Sequence, residues 1–239
     1  MVYTGSMVLA DFHNHSCLSP CGSLEMSPTA LVAEAVRRGV GVLALSDHNS
    51  ARNTPAFEQL CREAGLLALC GLEVTTQEEL HCLCLFPSAA IAQEFGAFVE
   101  SHLAKIANKP EKWGDQIVVD AGENVLDEVP FYLGTATDLA LTQLGDLCLS
   151  AGGLFIPAHI DRASQSVLSQ LGYLPDLPYS ALEVRRDAAG LETRGIPLVK
   201  GSDAHYLENV GSRTCRLELE TTDFDGVRRS LKNGWVWIE

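Results

Sequence analysis

Basic residues are scarce: 17 Lys and Arg stand against 31 Asp and Glu, a formal charge of −14. A broad grip on nucleic acid, or on an anionic membrane, needs basic patches that answer phosphate charge. The arginine pairs Arg37-Arg38, Arg185-Arg186 and Arg228-Arg229 are small and scattered. On this ground nucleic acid is an unlikely partner, whereas a local positive site built from metal ions stays open, because formal charge does not count metals. Long apolar runs are missing, so no segment reads as a membrane span. The start, Met1-Val2-Tyr3-Thr4-Gly5-Ser6-Met7, has neither a basic nor a long apolar stretch. It reads as a lead-in of six residues rather than a signal peptide. Eight cysteines (17, 21, 61, 70, 82, 84, 148 and 215) form no Cys-x-x-Cys pair. In a chain of this size they read as reduced, mostly buried thiols of a cytoplasmic protein. No internal repeat or low-complexity linker interrupts the chain.

What is present is an ordinary globular balance: 46% hydrophobic and 20% charged residues over 239 positions, enough to bury a sizeable core. Short apolar runs alternate with helical patterns. Val8 to Phe12 reads as a strand, and Ser27-Pro28 as an N-cap followed by proline at the first helical position. That helix stops at Gly39. Val40 to Leu45 reads as a strand buried on both faces. A helix from Thr54 to Ala64 follows, then strands at Leu66–Cys70 and Leu80–Phe86, and a helical pattern from Ser88 to Ile106. Two short extended pieces surround the turn Asp120-Ala121-Gly122-Glu123, and read as a hairpin flap over 115–128. Asp138 is read as the cap of a helix to Ser150. Strands at Leu154–Ile156, Ala181–Val184, Ile196–Val199 and Arg216–Leu219 alternate with helices at Ser164–Leu171 and Phe224–Leu231. Six or seven βα units argue a single α/β barrel-like domain.

Six of the seven histidines fall at or beside these strands. His13 and His15 follow the first strand, His48 the second, His159 the run Leu154-Phe155-Ile156-Pro157-Ala158, and His205 the run after Val199. His81 opens its strand, and Glu73 and Asp203 sit beside two others. Side chains at the C-terminal ends of barrel strands converge on one mouth. Imidazoles with a few carboxylates are what divalent transition metals need. In an extended segment His13 and His15 point the same way and can share an ion. A lone histidine is more often a core or surface residue; His102, inside a helical pattern, is assigned no role. The joint placement of six histidines with Glu73 and Asp203 is what points to a metal site.

The motifs Asp11-Phe12-His13-Asn14-His15, Ser46-Asp47-His48-Asn49, Gly71-Leu72-Glu73-Val74-Thr75-Thr76, Pro157-Ala158-His159 and Gly201-Ser202-Asp203-Ala204-His205 resemble the PHP superfamily (polymerase and histidinol phosphatase). They come in that family's order over residues 8 to about 212. The resemblance implies a distorted (β/α)₇ barrel, an α/β fold. Residues 1–239 would form one such domain, with 87–135 as an insertion. It also implies two or three divalent ions, zinc, manganese or iron, and hydrolysis of phosphoesters. One ion would take His13, His15, Glu73 and Asp203. Glu73 would bridge to a second held by His81 and His159. A third would take His48, His205 and a residue of the loop after His15, where this chain offers Cys21. Either Cys21 is a thiolate ligand favouring a softer metal, or it is an ordinary loop thiol beside a weak third site. Asp47 would orient an imidazole from behind.

Arg162 stands where relatives place a phosphate-binding arginine, although Ile160 replaces their usual proline; the alternative is a surface ion pair with Asp161 or another acid. Arg162 and His205 are the catalytic candidates, with Asn49 and Lys200 as weaker polar contacts. The expected reaction is attack of a metal-activated hydroxide on a small phosphomonoester or nucleotide, with the leaving oxygen protonated by a histidine or a bound water. Two rivals remain. An amidohydrolase also uses His-x-His and a late aspartate in a barrel, but leaves Ser46-Asp47-His48 and His205 unexplained. A regulatory module would hold metal and bind a nucleotide or partner without turnover.

Overall fold

A computed structural model describes residues 5–186 and 190–238. Most of the expected lead-in, residues 1–4, lies outside them. In chain order the elements are β1 (Ser6–Asp11), α1 (Pro28–Arg37), β2 (Val42–His48), α2 (Thr54–Ala64), β3 (Leu67–Thr75), β4 (His81–Phe86), α3 (Ala89–Ser101), α4 (Pro110–Trp113), β5 (Ile117–Val119), β6 (Val125–Glu128), α5 (Leu141–Ser150), β7 (Leu154–Pro157), α6 (Val167–Leu171), β8 (Leu182–Glu183), β9 (Leu198–Val199), β10 (Cys215–Leu219), α7 (Phe224–Asn233) and β11 (Val236–Ile238).

Seven strands form one curled sheet in the order β11-β10-β1-β2-β3-β4-β7, and β8 and β9 pair separately in parallel. The small sheet sits between β7 and β1: Ser180 N–H donates to Phe155 O (2.8 Å) and Phe12 N–H to Lys200 O (3.3 Å). The α/β, barrel-like fold expected from the sequence is thus present, with two strands reversed, β10 against β1 and β4 against its neighbours. β1, β2 and β3 are parallel, but β4 runs antiparallel to both β3 and β7. The cause is the connection 76–80, a tight turn closed by Thr76 N–H on Leu80 O; five residues cannot cross over to start a parallel strand. The reversal places the start of β4 level with the ends of its neighbours, so His81 pairs with Thr75 at the barrel mouth.

Strand alternation sorts the side chains. Val42 and Ala44, Leu69, Leu83 and Leu85, and Leu154 and Ile156 fill the inside of the curl. Leu43 and Leu45, Cys70 and Leu72, Cys82, Cys84 and Phe86, and Phe155 face the helices. His48, Glu73 and His81 continue the inward rows, which is why they meet. Seven of the eight free cysteines are buried, and Cys21 is exposed.

Helix ends follow local chemistry. Ser27 caps α1 by accepting from Ala30 N–H with Pro28 behind it, and Gly65 ends α2 at φ 74°. Two expected ends shift. α3 stops at Ser101 with His102 as its cap, and α5 starts at Leu141, whose N–H is held by the Glu78 carboxylate (3.0 and 3.1 Å). Asp138 instead faces His102 Nδ1 at 2.6 Å. β11 is an additional strand, pairing with β10. No helix among the described residues is long and apolar enough to cross a membrane.

Candidate metal centre

Glu73, 1% exposed, stands at the centre of the mouth. Five imidazoles come within 3.5 Å of its carboxylate: His81 Nδ1 at 2.8 Å, His48 Nδ1 at 3.1 Å, His159 Nε2 at 3.2 Å, His13 Nε2 at 3.4 Å and His15 Nε2 at 3.5 Å. Asp203 adds a second carboxylate, 3.4 Å from His15 Nε2 and 3.7 Å from His13 Nε2. His205 stacks near His15, ring centroids 4.3 Å apart, and its Nδ1 lies 2.9 Å from the Asp203 carbonyl oxygen. The eight residues expected from six stretches of chain therefore meet in one place.

Three groups among the described residues offer ligand atoms close enough together to hold an ion: His13, His15 and Asp203; His48, Glu73 and His81; and His15, His48 and His205. The partition differs from the expected one. His48 stands with both Glu73 and His205, and His159 reaches only Glu73. Cys21 lines the cavity above the cluster but joins none of these groups.

The donor set fits cations. His13 Nδ1 faces the Glu183 carboxylate (3.0 and 3.1 Å), and His15 Nδ1 faces Ser19 Oγ at 3.0 Å, whose hydroxyl donates to Asp47 Oδ1. Both rings thereby turn Nδ1 toward an acceptor, and their Nε2 atoms lie 3.1 Å apart, a spacing that the extra proton of His13 bridges in the metal-free protein and that an ion bound by both rings would take over. His48 Nδ1, although near Glu73, has no hydrogen-bond partner, and buried His159 Nδ1 has none either.

The electrostatics agree. Burial would lower the His13 pKa, but Glu183, Glu73 and Asp203 outweigh it and hold the ring well above the usual imidazole range. Burial, then His205, depresses His15 to about 4, and burial takes His48 well below its ordinary value. Burial opposes ionisation of Glu73 and Asp203, yet the imidazoles prevail and both carboxyls sit well below normal. The pocket is thus a nest of anionic oxygens and mostly neutral nitrogens, the state in which both bind metal.

Behind the cluster lie three buried carboxylates. Asp47 accepts from Ser16 N–H, Ser16 Oγ and Ser19 Oγ, so it braces His15 through a serine rather than touching a ring. Asp11 accepts from Ser202 N–H and Oγ, Gly211 N–H and His13 N–H. Glu183 was missed in the sequence. Its signal was present: it shares the inward row of its strand with Ala181, so a charge there has to meet a partner.

A cavity of about 470 Å³ opens over the cluster. Arg162, one-third exposed, lines it with Nη1 3.9 Å from Asp203 Oδ2, and Arg185 lines it beside Tyr132 and Tyr206. Of the acids offered as an alternative partner for Arg162, Asp161 is engaged elsewhere, accepting from Arg185 N–H and Arg186 N–H, and Asp203 is the one within ion-pair reach. Asn49 does not face the cavity as a substrate contact. Its amide donates to Leu133 O and Thr135 O and it accepts from Thr75 N–H, clamping the 131–135 stretch to β3. Lys200 lines a separate cavity with Arg213 and Trp237. The 115–128 hairpin is tied down, Glu123 to Ser27 and Ala121 to Thr29; Tyr132 and Gly134, not the hairpin, line the site.

A model of the PHP domain matches residues 11–164, and one of a PHP-associated region matches 185–236. The chain belongs to the PHP family. Over 126 residues it is 33% identical to a 5'-3' exoribonuclease of Haemophilus influenzae, a match covering 49% of this chain and 45% of that protein. The chain thus spans about half the length of this curated relative. Among solved structures, the lesion-specific endonuclease PfuEndoQ of Pyrococcus furiosus superposes with a TM-score of 0.70 at 18% identity, over 98% of this chain and 58% of that one. A complex of endonuclease Q with a 27-mer duplex bearing an abasic lesion at the active site gives 0.67 at 19% identity, with the same coverage. A two-domain protein of Bacteroides vulgatus, described as containing a predicted PHP-like metal-dependent phosphoesterase, gives 0.59 at 16% identity over 97% of this chain and 64% of that one.

Setting nucleic acid aside on net charge is corrected by these likenesses: a PHP relative is named for RNA, and a protein of this fold is captured on duplex DNA. The physical error was one of scale. A charge of −14 averages over the whole chain, whereas the cavity over the cluster is lined locally by Arg162 and Arg185, and the sum omits any cation.

Proposed function

We propose that this PHP chain is a metal-dependent phosphoesterase acting on phosphodiesters at the end of a nucleic-acid strand. The observation behind it is Glu73 ringed by five imidazoles, with Asp203 and Arg162 at the edge of the same cavity. Ions would be held by His13, His15 and Asp203, by His48, Glu73 and His81 with His159 against the same Glu73 carboxylate, and by His48 and His205 beside His15, with Cys21 in the cavity wall nearby. Bound divalent ions polarise the phosphoryl group and make water acidic enough to serve near neutral pH. Arg162 and Arg185 hold non-bridging oxygens, a task suited to a planar guanidinium. His205, one-quarter exposed, is placed to hand a proton to the leaving oxygen if it is not fully engaged as a ligand. A cavity of about 470 Å³ accommodates a nucleotide but not a duplex. Exposed Tyr206 and half-buried Tyr132, itself stacked on Trp113 at 4.5 Å, offer aromatic surfaces on which bases stack.

The two matched PHP segments build this site jointly. Asp203 and His205 come from the second and the other ligands from the first, which supports residues 1–239 as one domain with 87–135 inserted. The eight unpaired thiols suit a reducing, cytoplasmic setting.

The test is a substrate panel with protein loaded with zinc, manganese or iron in turn: strands labelled at either end, a mononucleotide, an aryl phosphate and a cyclic amide. Stepwise release from one strand end is expected, abolished by His13→Ala. Turnover of the amide alone would make the chain an amidohydrolase. Absence of all turnover with metal bound would make it a binding module.

A further inference from the structure

Glu183 is 1% exposed and belongs to no ligand group among the described residues, yet it touches two histidines from separate strands, whose rings stack 6.0 Å apart and both approach Glu73 Oε1. Both its oxygens lie on His13 Nδ1 (3.0 and 3.1 Å), and Oε2 accepts from the His159 backbone N–H at 2.8 Å. The first contact selects the tautomer that turns His13 Nε2 toward His15, Glu73 and Asp203. The second pins His159 at φ 33°, a left-handed conformation that a residue with a Cβ resists. From there His159 Nε2 reaches Glu73 at 3.2 Å. Room for the carboxylate is made at Gly201, where a Cβ would meet His13 Cβ at 2.4 Å and Glu183 Oε1 at 2.5 Å. Three segments thus interlock: the ends of β1 and β7 are set by one acid on β8, past a glycine that follows β9.

We infer that Glu183 is a positioning residue that couples the two sides of the metal centre, orienting His13 for one ion and His159 for the other. The inference rests on the metal-centre reading above and extends it, because it makes the two ions bind as a linked pair. Both of its partners are donors and need acceptors. Both carboxylate oxygens face His13 Nδ1 and one of them also takes the His159 N–H, so the amide of Glu183→Gln sets an N–H against His13 Nδ1–H whichever way it turns, and against His159 as well in one of the two orientations.

The experiment compares full-length wild type, Glu183→Gln and Asp11→Asn. Asp11 is a second buried carboxylate that holds the His13 backbone N–H but no imidazole, so it controls for a merely structural loss. Zinc and manganese affinities are measured by chelator competition, and ring tautomers of the metal-free protein by nitrogen-15 NMR. In Glu183→Gln, both affinities should fall about 10- to 100-fold together, and either the His13 ring loses its fixed Nδ1–H tautomer or the His159 amide loses its hydrogen-bonded shift. Asp11→Asn should keep the His13 tautomer and bind metal more tightly than Glu183→Gln. Loss of one ion alone, or equal weakening in Asp11→Asn, would overturn the inference. Should wild type take up no metal, the metal-centre reading falls instead, and unchanged His13 and His159 signals in Glu183→Gln would then sink the coupling by itself.

Discussion

The two walls of the cavity are built in opposite ways. The floor is buried: His13, His15 and His159 are wholly covered, and each floor imidazole is flanked by a carboxylate, a serine or another ring. The rim is loose. Tyr206 is 53% exposed, Arg162 and Arg185 are partly exposed, and the carboxylate nearest Arg162 stands 3.9 Å away. Buried, braced groups suit chemistry that needs fixed geometry. Half-solvated groups suit recognition, in which substrate replaces water. The difference teaches that floor and rim should fail differently: floor changes should abolish turnover of every phosphoester, and rim changes should alter which one is preferred.

The sharpest way to break that contrast is His13→Ala. It removes an imidazole shared by Glu73, Asp203 and His15, and kcat should drop on the order of a thousandfold for strand and aryl phosphate alike. Steady-state rates on both substrates, with metal content measured alongside, check it. Survival of aryl phosphate hydrolysis would show that the floor is not common machinery.

Much of the floor was legible because histidine is scarce and its placement repeats: each motif follows a strand. The sequence could not show the sense of β4. A five-residue turn looks like any short loop, and only pairing with β3 and β7 reveals that His81 enters from a reversed strand. Glu183 hid because its clue, an acid alternating with the apolar Ala181, rests on two positions at a strand only two residues long. Asp47 was read correctly as a brace, but the intervening Ser19 was invisible, since a hydroxyl in a loop gives no pattern. The rim was the least legible. Tyr132 reaches the cavity through the clamp of Asn49 on Leu133 and Thr135, a contact 84 residues apart.

Acidity should expose the floor next. In metal-free protein His15 titrates near 4 and His48 well below its ordinary value, while His13 titrates well above. Below the unfolded imidazole value of about 6.5, the unfolded chain takes up protons that folded His15 and His48 refuse, so stability falls as pH drops. Above it, folded His13 keeps a proton that the unfolded chain has released, and stability falls as pH rises toward its folded pKa. Stability of the chelated protein should therefore peak near pH 6.5, with the steeper loss on the acid side, on the order of 3 kcal/mol from His15 by pH 4. Denaturant midpoints across pH 4 to 8 decide it; a flat profile would show that the imidazoles are solvated.

Rim variants give smaller, selective effects. Arg162→Ala removes a charge-assisted contact of about 1.5–3 kcal/mol, so kcat/KM should fall about ten- to a hundredfold on the strand and less on an aryl phosphate, with metal content unchanged. Tyr206→Ala should raise KM roughly tenfold for an oligonucleotide, the loss of one stacked base, and leave an aryl phosphate untouched. Equal effects on both substrates would place Tyr206 in the floor and blur the division of labour.

Cys21 lies on the boundary between the walls and should respond least. Its thiol, pushed up to about 12 by burial around the sulfur and then by Glu73, is protonated near neutrality in the metal-free protein, and so a poor nucleophile. Zinc can displace that proton, because a thiolate is a soft donor; manganese gains much less from sulfur. Cys21→Ser should therefore lower zinc content by the ion nearest His48 and His205 and leave manganese content and manganese-supported turnover close to wild type. Elemental analysis after dialysis against each metal reads this directly. Equal retention of zinc would assign Cys21 to the rim, as an ordinary thiol beside the site; loss of both metals would assign it to the floor.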